Sequence, residues 1–185
     1  MSTALHLTTE EFDRMIECGA FDHLQRKIEL IRGELREMNP AGPIHDGLIV
    51  YLTNWSALEV AKVSLLVTSQ TGLNLAELAS RPEPDLMWLR NARYRESHPS
   101  ASDVKLAIEV FYSSLHSDLH EKAELYAEAG IVEYWIVDAG SACVHVFRQP
   151  VGTQYTDRSV ASKGEQIAPM VAPQARLDVS DLFGD

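Results

Sequence analysis

A chain of 185 residues, 45% of them hydrophobic, has the size of one domain and enough apolar content to bury a substantial core. No stretch approaches the roughly 18 consecutive apolar residues of a membrane span, and residues 1–11 lack the basic-then-apolar order of a secretory signal, so a cytoplasmic protein without a membrane partner is expected. Sixteen basic against 27 acidic residues give a formal charge of −11, which argues against holding nucleic acid by bulk positive charge. The two cysteines, Cys18 and Cys143, lie far apart with no C-x-x-C spacing, so reduced structural thiols are expected rather than a zinc ribbon or a disulfide framework.

Thr8 followed three positions later by Glu11 is a helix start, and Phe12, Met15 and Ile16 recur at helical spacing up to Gly19. Ile28 to Met38 predicts two strands around Arg32-Gly33, ended by Pro40, Gly42 and Pro43. From Ile44, the apolar positions Leu48, Ile49, Leu52, Trp55 and Leu58 predict a helix of about four turns. Strands follow at Val63 to Val67 and at Asp85 to Leu89. Val104 to Phe111 alternates, with Val104, Leu106, Ile108 and Val110 on one face and Glu109 on the other beside Ala107 and Phe111. Asp118 starts a helix that runs to Gly130; Ile131 to Val137 and Cys143 to Phe147 then flank a hairpin turn, and Leu177 to Phe183 forms a last helical turn.

Three residues resist a purely structural account. At about 100° per residue, Leu119, Ala123, Leu125, Tyr126 and Ala129 form an apolar stripe, and Lys122 falls inside it. An ammonium there either snorkels to water or meets a carboxylate, because burial without a partner costs several kcal/mol. Glu109, one strand earlier, is such a partner, and an acid in the middle of an apolar strand itself needs a metal, a base or an open cleft. Asp85 directly follows Pro84 at the start of a third element; taken singly it reads equally as a strand-edge aspartate. Arg90, Arg93 and Arg95 form either a local basic strip for phosphate or a solvated surface loop.

Pro84-Asp85, Glu109-Val110 and Lys122, together with the runs Glu29-Leu30-Ile31-Arg32-Gly33-Glu34-Leu35 and Glu121 to Asp138, resemble the Uma-type restriction endonuclease family, a branch of the PD-(D/E)XK nuclease superfamily. The resemblance extends from about Ile28 to the C-terminus. It implies an α/β (α+β) fold, a restriction-endonuclease-like mixed β-sheet flanked by helices, with an N-terminal helical segment over residues 1–27 and the nuclease-like domain over 28–185 as one compact unit. It also implies that Asp85 and Glu109 are metal ligands, that Lys122 orients or activates the attacking water, and that Glu34 is a fourth, supporting acid. His45 matches a family position and, with Arg90 and Arg93, is a candidate substrate contact. In the wider superfamily the lysine stands two positions after the second acid, a place held here by Phe111; Lys122 matches the lysine that this family carries on the next helix. One departure is Phe111-Tyr112-Ser113-Ser114, where the family has a Leu/Ile-Ser-Pro-Ser turn.

The chemistry implied is cleavage of DNA phosphodiester bonds with Mg2+, or Mn2+ in its place, since a hard divalent ion suits two carboxylates and retained waters. A homodimer is expected, because two sites related by a two-fold axis can cut both strands. Two other functions stay open: a nuclease fold that binds or assembles without cutting, and a metal-dependent hydrolase of a small phosphorylated substrate, which suits a charge of −11 better than a long duplex does.

Overall fold

The structure, a computed structural model, describes residues 4–24, 26–38, 42–111 and 116–184, with the backbone alone over 116–119. The strands form a six-stranded sheet in the order β3-β4-β5-β6-β7-β8: β3 (Leu65–Ser69), β4 (Leu86–Arg90), β5 (Val104–Phe111), β6 (Glu133–Asp138), β7 (Cys143–Val151) and β8 (Gln154–Ser162). Only the β5–β6 pair is parallel; β3–β4, β4–β5, β6–β7 and β7–β8 are antiparallel. A parallel pair cannot be closed by a tight turn, and the crossover is the helix α3 (His116–Glu128). That crossover returns the chain along one sheet face, bringing Lys122 back over the end of β5.

The two faces of β5 bury different cores. Leu106, Ile108 and Val110 pack with Leu86, Trp88, Trp135 and Val137 beneath α2 (Pro43–Val60), which contributes Leu48, Leu52 and Val60. Ala107 and Phe111 face Leu125, Tyr126, Tyr134 and Ile136 on the α3 side. Val104 departs from the expected alternation and joins this second core, where the β4–β5 register shifts between Trp88 and Leu89. A two-stranded hairpin, β1 (Ile28–Ile31) with β2 (Glu34–Glu37), covers the same side, while α1 (Thr9–Glu17) packs through buried Phe12 and an Asp13–Arg81 ion pair. Thr8 caps α1 in a capping box with Glu11, as the spacing predicts.

The chain's last third differs from expectation. β7 continues past Phe147 to Val151 and turns at Gly152, whose φ of +58° is what a two-residue hairpin turn requires, into the unexpected strand β8. In β8 only Tyr155 and Ala161 are buried, so it carries no period-two hydrophobic signal. Near the C-terminus, β9 (Gln166–Ile167) pairs with β10 (Leu177–Asp178), which precedes a short helix α4 (Val179–Phe183) capped by Asp178. The helix α3 begins at His116, two residues before the expected Asp118 start, and the departure at Tyr112-Ser113-Ser114 and the stop at Pro40 lie outside the described residues.

Candidate active site

Five elements converge at one end of the sheet. Asp85 immediately precedes β4, Glu109 sits near the end of β5 that leads toward α3, Lys122 lies in α3, Glu29 in β1 and His45 in the first turn of α2. Glu29, Asp85 and Glu109 are only 6%, 5% and 4% exposed, so their charge cannot be left to solvent.

Their hydrogen bonds fall on one oxygen each. Asp85 Oδ2 accepts from the Val110 backbone N–H at 2.8 Å and lies 3.3 Å from His45 Nε2, tying the start of β4 to the end of β5. Glu109 Oε1 accepts from Lys122 Nζ at 3.0 Å and from the Tyr126 hydroxyl at 2.9 Å. Glu29 Oε2 stands 3.4 Å from the same ammonium and accepts the Glu83 N–H at 3.3 Å. Among the described residues, these partners leave Asp85 Oδ1 and Glu109 Oε2 without a hydrogen bond, and partners that fix one oxygen orient the other for a cation.

Electrostatics point the same way. Three carboxylates face one ammonium and one imidazole, an excess of negative charge in a buried place. Burial, reinforced by Asp85 and Glu29 and only partly offset by Lys122, pushes the Glu109 carboxyl up to about 7. Burial alone would depress Lys122, but Glu109 and Glu29 outweigh it and hold the ammonium above its ordinary value. The hydrogen bond to Asp85 raises His45 against the opposing effect of its burial. Burial raises the Tyr126 hydroxyl well above its usual range, so it donates to Glu109 as a neutral phenol.

The residues expected from the sequence divide into those that meet and those that do not. Asp85, Glu109, Lys122 and His45 come together. Glu34 does not: it lies on β2, all four residues of which are exposed, and pairs with Arg36 at 2.8 Å. Glu29 holds the place beside Lys122 instead, because β1 is the hairpin strand that packs inward. The sequence does carry a signal for it, an acid inside the apolar run Ile28 to Ile31, the same anomaly that marks Glu109. Arg90 and Arg93 also lie elsewhere. Arg90 is five residues from Asp85 along β4, about 16 Å at roughly 3.3 Å per residue, and its Nε and Nη2 bind Asp103 Oδ1 at 3.0 and 2.6 Å. Arg93 is exposed in the loop beyond it.

Two carboxylates with one open oxygen each, backed by a lysine and oriented by a histidine, a tyrosine and a backbone N–H, suit a divalent cation that keeps several of its waters. No curated protein matches the chain. The crystal structure of a putative nuclease belonging to DUF820 from Anabaena variabilis has the same fold, with a TM-score of 0.73 and 16% identity over 96% of this chain and 97% of that one. The model of the Uma2 family, described as putative restriction endonuclease, matches residues 9–180. That match takes in every element that builds the site and the helix α1 before it, so the chain belongs to the Uma2 family.

Proposed function

We propose that the protein is a metal-dependent endonuclease that hydrolyses DNA phosphodiester bonds at the Asp85–Glu109–Lys122 site, with Mg2+ as its ion and Mn2+ as a substitute. The observation that carries this reading is the pairing of two buried carboxylates, each with one oxygen fixed and the other open among the described residues, beside a half-buried lysine. Asp85 and Glu109 would hold the ion. When bound, a hard divalent cation lowers the pKa of a bound water and neutralises charge on the scissile phosphate.

The chain's own groups have distinct tasks. Lys122, held charged by Glu109 and Glu29, supplies a fixed positive charge for the developing pentacovalent phosphate and a donor to orient the attacking water. Tyr126 and Lys122 together hold Glu109 Oε1, so that the other oxygen is presented in one direction. The Val110 N–H and His45 do the same for Asp85. The raised His45 places a proton donor at the edge of the site, available to a departing oxygen. Two copies of the chain acting on opposite strands complete the proposal, since double-strand cleavage needs two such sites.

Cleavage of supercoiled plasmid in Mg2+ and in Mn2+ tests this reading. The parent should nick or linearise it only with a divalent ion, and Lys122→Met should lower the rate by about 100-fold or more. A parent inert toward duplex and single-stranded DNA in both ions would favour a nuclease fold that binds without cutting.

A further inference from the structure

A second cluster of metal-ligating side chains lies outside the proposed active site, at the closed end of the β6–β7 hairpin. Asp138 and Cys143 are directly opposed in the β6–β7 register, and His145 follows Cys143 by two residues, so all three side chains leave the sheet on the same face. One ligand atom from each lies within 4.8 Å of the others, the one such group of three among the described residues. We propose that Asp138, Cys143 and His145 bind a zinc ion, with water as the fourth ligand.

The geometry is close to what zinc requires. Cys143 Sγ and His145 Nε2 are 3.6 Å apart. Two ligands at zinc–sulfur and zinc–nitrogen bond lengths, set at a tetrahedral angle, are about 3.6 Å apart, so this edge of the coordination shell is already formed. The carboxylate oxygen, within 4.8 Å of the other two ligand atoms, needs to close by no more than about 1.5 Å. Asp138 is also prepared for the task. Its Oδ1 accepts the N–H groups of Gly140 and Ser141 at 2.9 and 3.0 Å, which fixes the side chain and leaves Oδ2 outside both bonds. Those bonds, against the effect of burial, keep Asp138 below the usual carboxylate range and ready to serve as an anion.

Ligand chemistry selects the ion. A thiol and an imidazole prefer zinc to the hard magnesium that suits the all-oxygen site. Cys143 would bind as its thiolate, so loading the site releases a proton. The cluster lies close to the catalytic end. Asp138 is the β6 partner of Phe111, and the Ala139 N–H donates to Phe111 O at 2.7 Å. An ion at the hairpin therefore braces the end of the strand that carries Glu109.

Cobalt(II), which takes zinc's place and reports thiolate ligation through a sulfur-to-cobalt charge-transfer band, is the probe. Titration into the metal-free full chain should produce that band together with the visible bands of tetrahedral cobalt; zinc should abolish both, and magnesium in excess should not. The band should survive in Cys18→Ser, which removes the exposed thiol, and in the Asp85→Ala, Glu109→Ala double variant, but vanish in Cys143→Ser. His145→Gln, at a half-exposed position that leaves the core intact, should weaken cobalt binding by about tenfold or more, and it carries the test if Cys143→Ser does not fold. No band in the parent, a band that persists in Cys143→Ser, or unaltered affinity in His145→Gln would each overturn the assignment.

Discussion

At the scale of single residues, the candidate site is costly to the fold. Glu109 takes up a proton on folding, since its carboxyl rises from the ordinary 4.5 to about 7. Glu109's own contribution to the stability of the metal-free protein is therefore fully present below about pH 4.5 and is lost as pH rises through 7. His45, also raised, changes stability in the same direction. Thermal melts in chelator should show a falling Tm from pH 5 to 8, and Glu109→Gln should flatten that fall while abolishing cleavage; a parent whose Tm does not change over this range would contradict the buried, charge-crowded site. Anomalous residues within apolar patterns make most of the site legible in the sequence. Lys122 interrupts a helical stripe and Glu109 an apolar strand. Family likeness points to Glu34, whereas the acid that stands beside Lys122 is Glu29, because β1 is the buried strand of the hairpin and β2 the exposed one.

At the scale of elements, β6 and β7 depend on a buried ion pair remote from the proposed chemistry. Glu133 is fully buried and accepts from Arg148 Nε at 2.8 Å, Trp135 Nε1 at 2.9 Å and the Met170 N–H at 2.6 Å. Arg148→Ala strands that carboxylate and should cost about 3–5 kcal/mol in urea unfolding; a loss under about 1 kcal/mol would contradict the dependence of β6 and β7 on this pair. β5, α2 and α3 are readable because each carries a clear period. β8 is not, because a strand at the sheet edge with two buried residues leaves no alternation to detect. Its register comes from the turn at Gly152 and from the ladder along β7.

At the scale of the whole molecule, charge and site are in tension. The net charge is −11, and the arginines expected to gather phosphates lie at the other end of β4, with Arg90 already engaged by Asp103. An Arg90→Ala, Arg93→Ala double variant should cleave DNA within about twofold of the parent, with an unchanged dependence on salt; an arginine that neutralised a phosphate would, on removal, reduce the salt slope by about one. A clear fall in both rate and salt slope would place the duplex across the sheet rather than at its Asp85 end. On the proposed reading a divalent ion would have a second effect at this scale, because at the acids it would offset the excess of negative charge where the substrate must approach.

The most direct test of the metal-dependent site is calorimetric titration of Mg2+ and then Mn2+ into the purified protein beside the Asp85→Ala, Glu109→Ala double variant and Cys143→Ser. Binding is expected in the parent and in Cys143→Ser and is expected to be lost in the double variant. No binding in the parent, with or without DNA, or binding that the double variant retains unchanged, would contradict it.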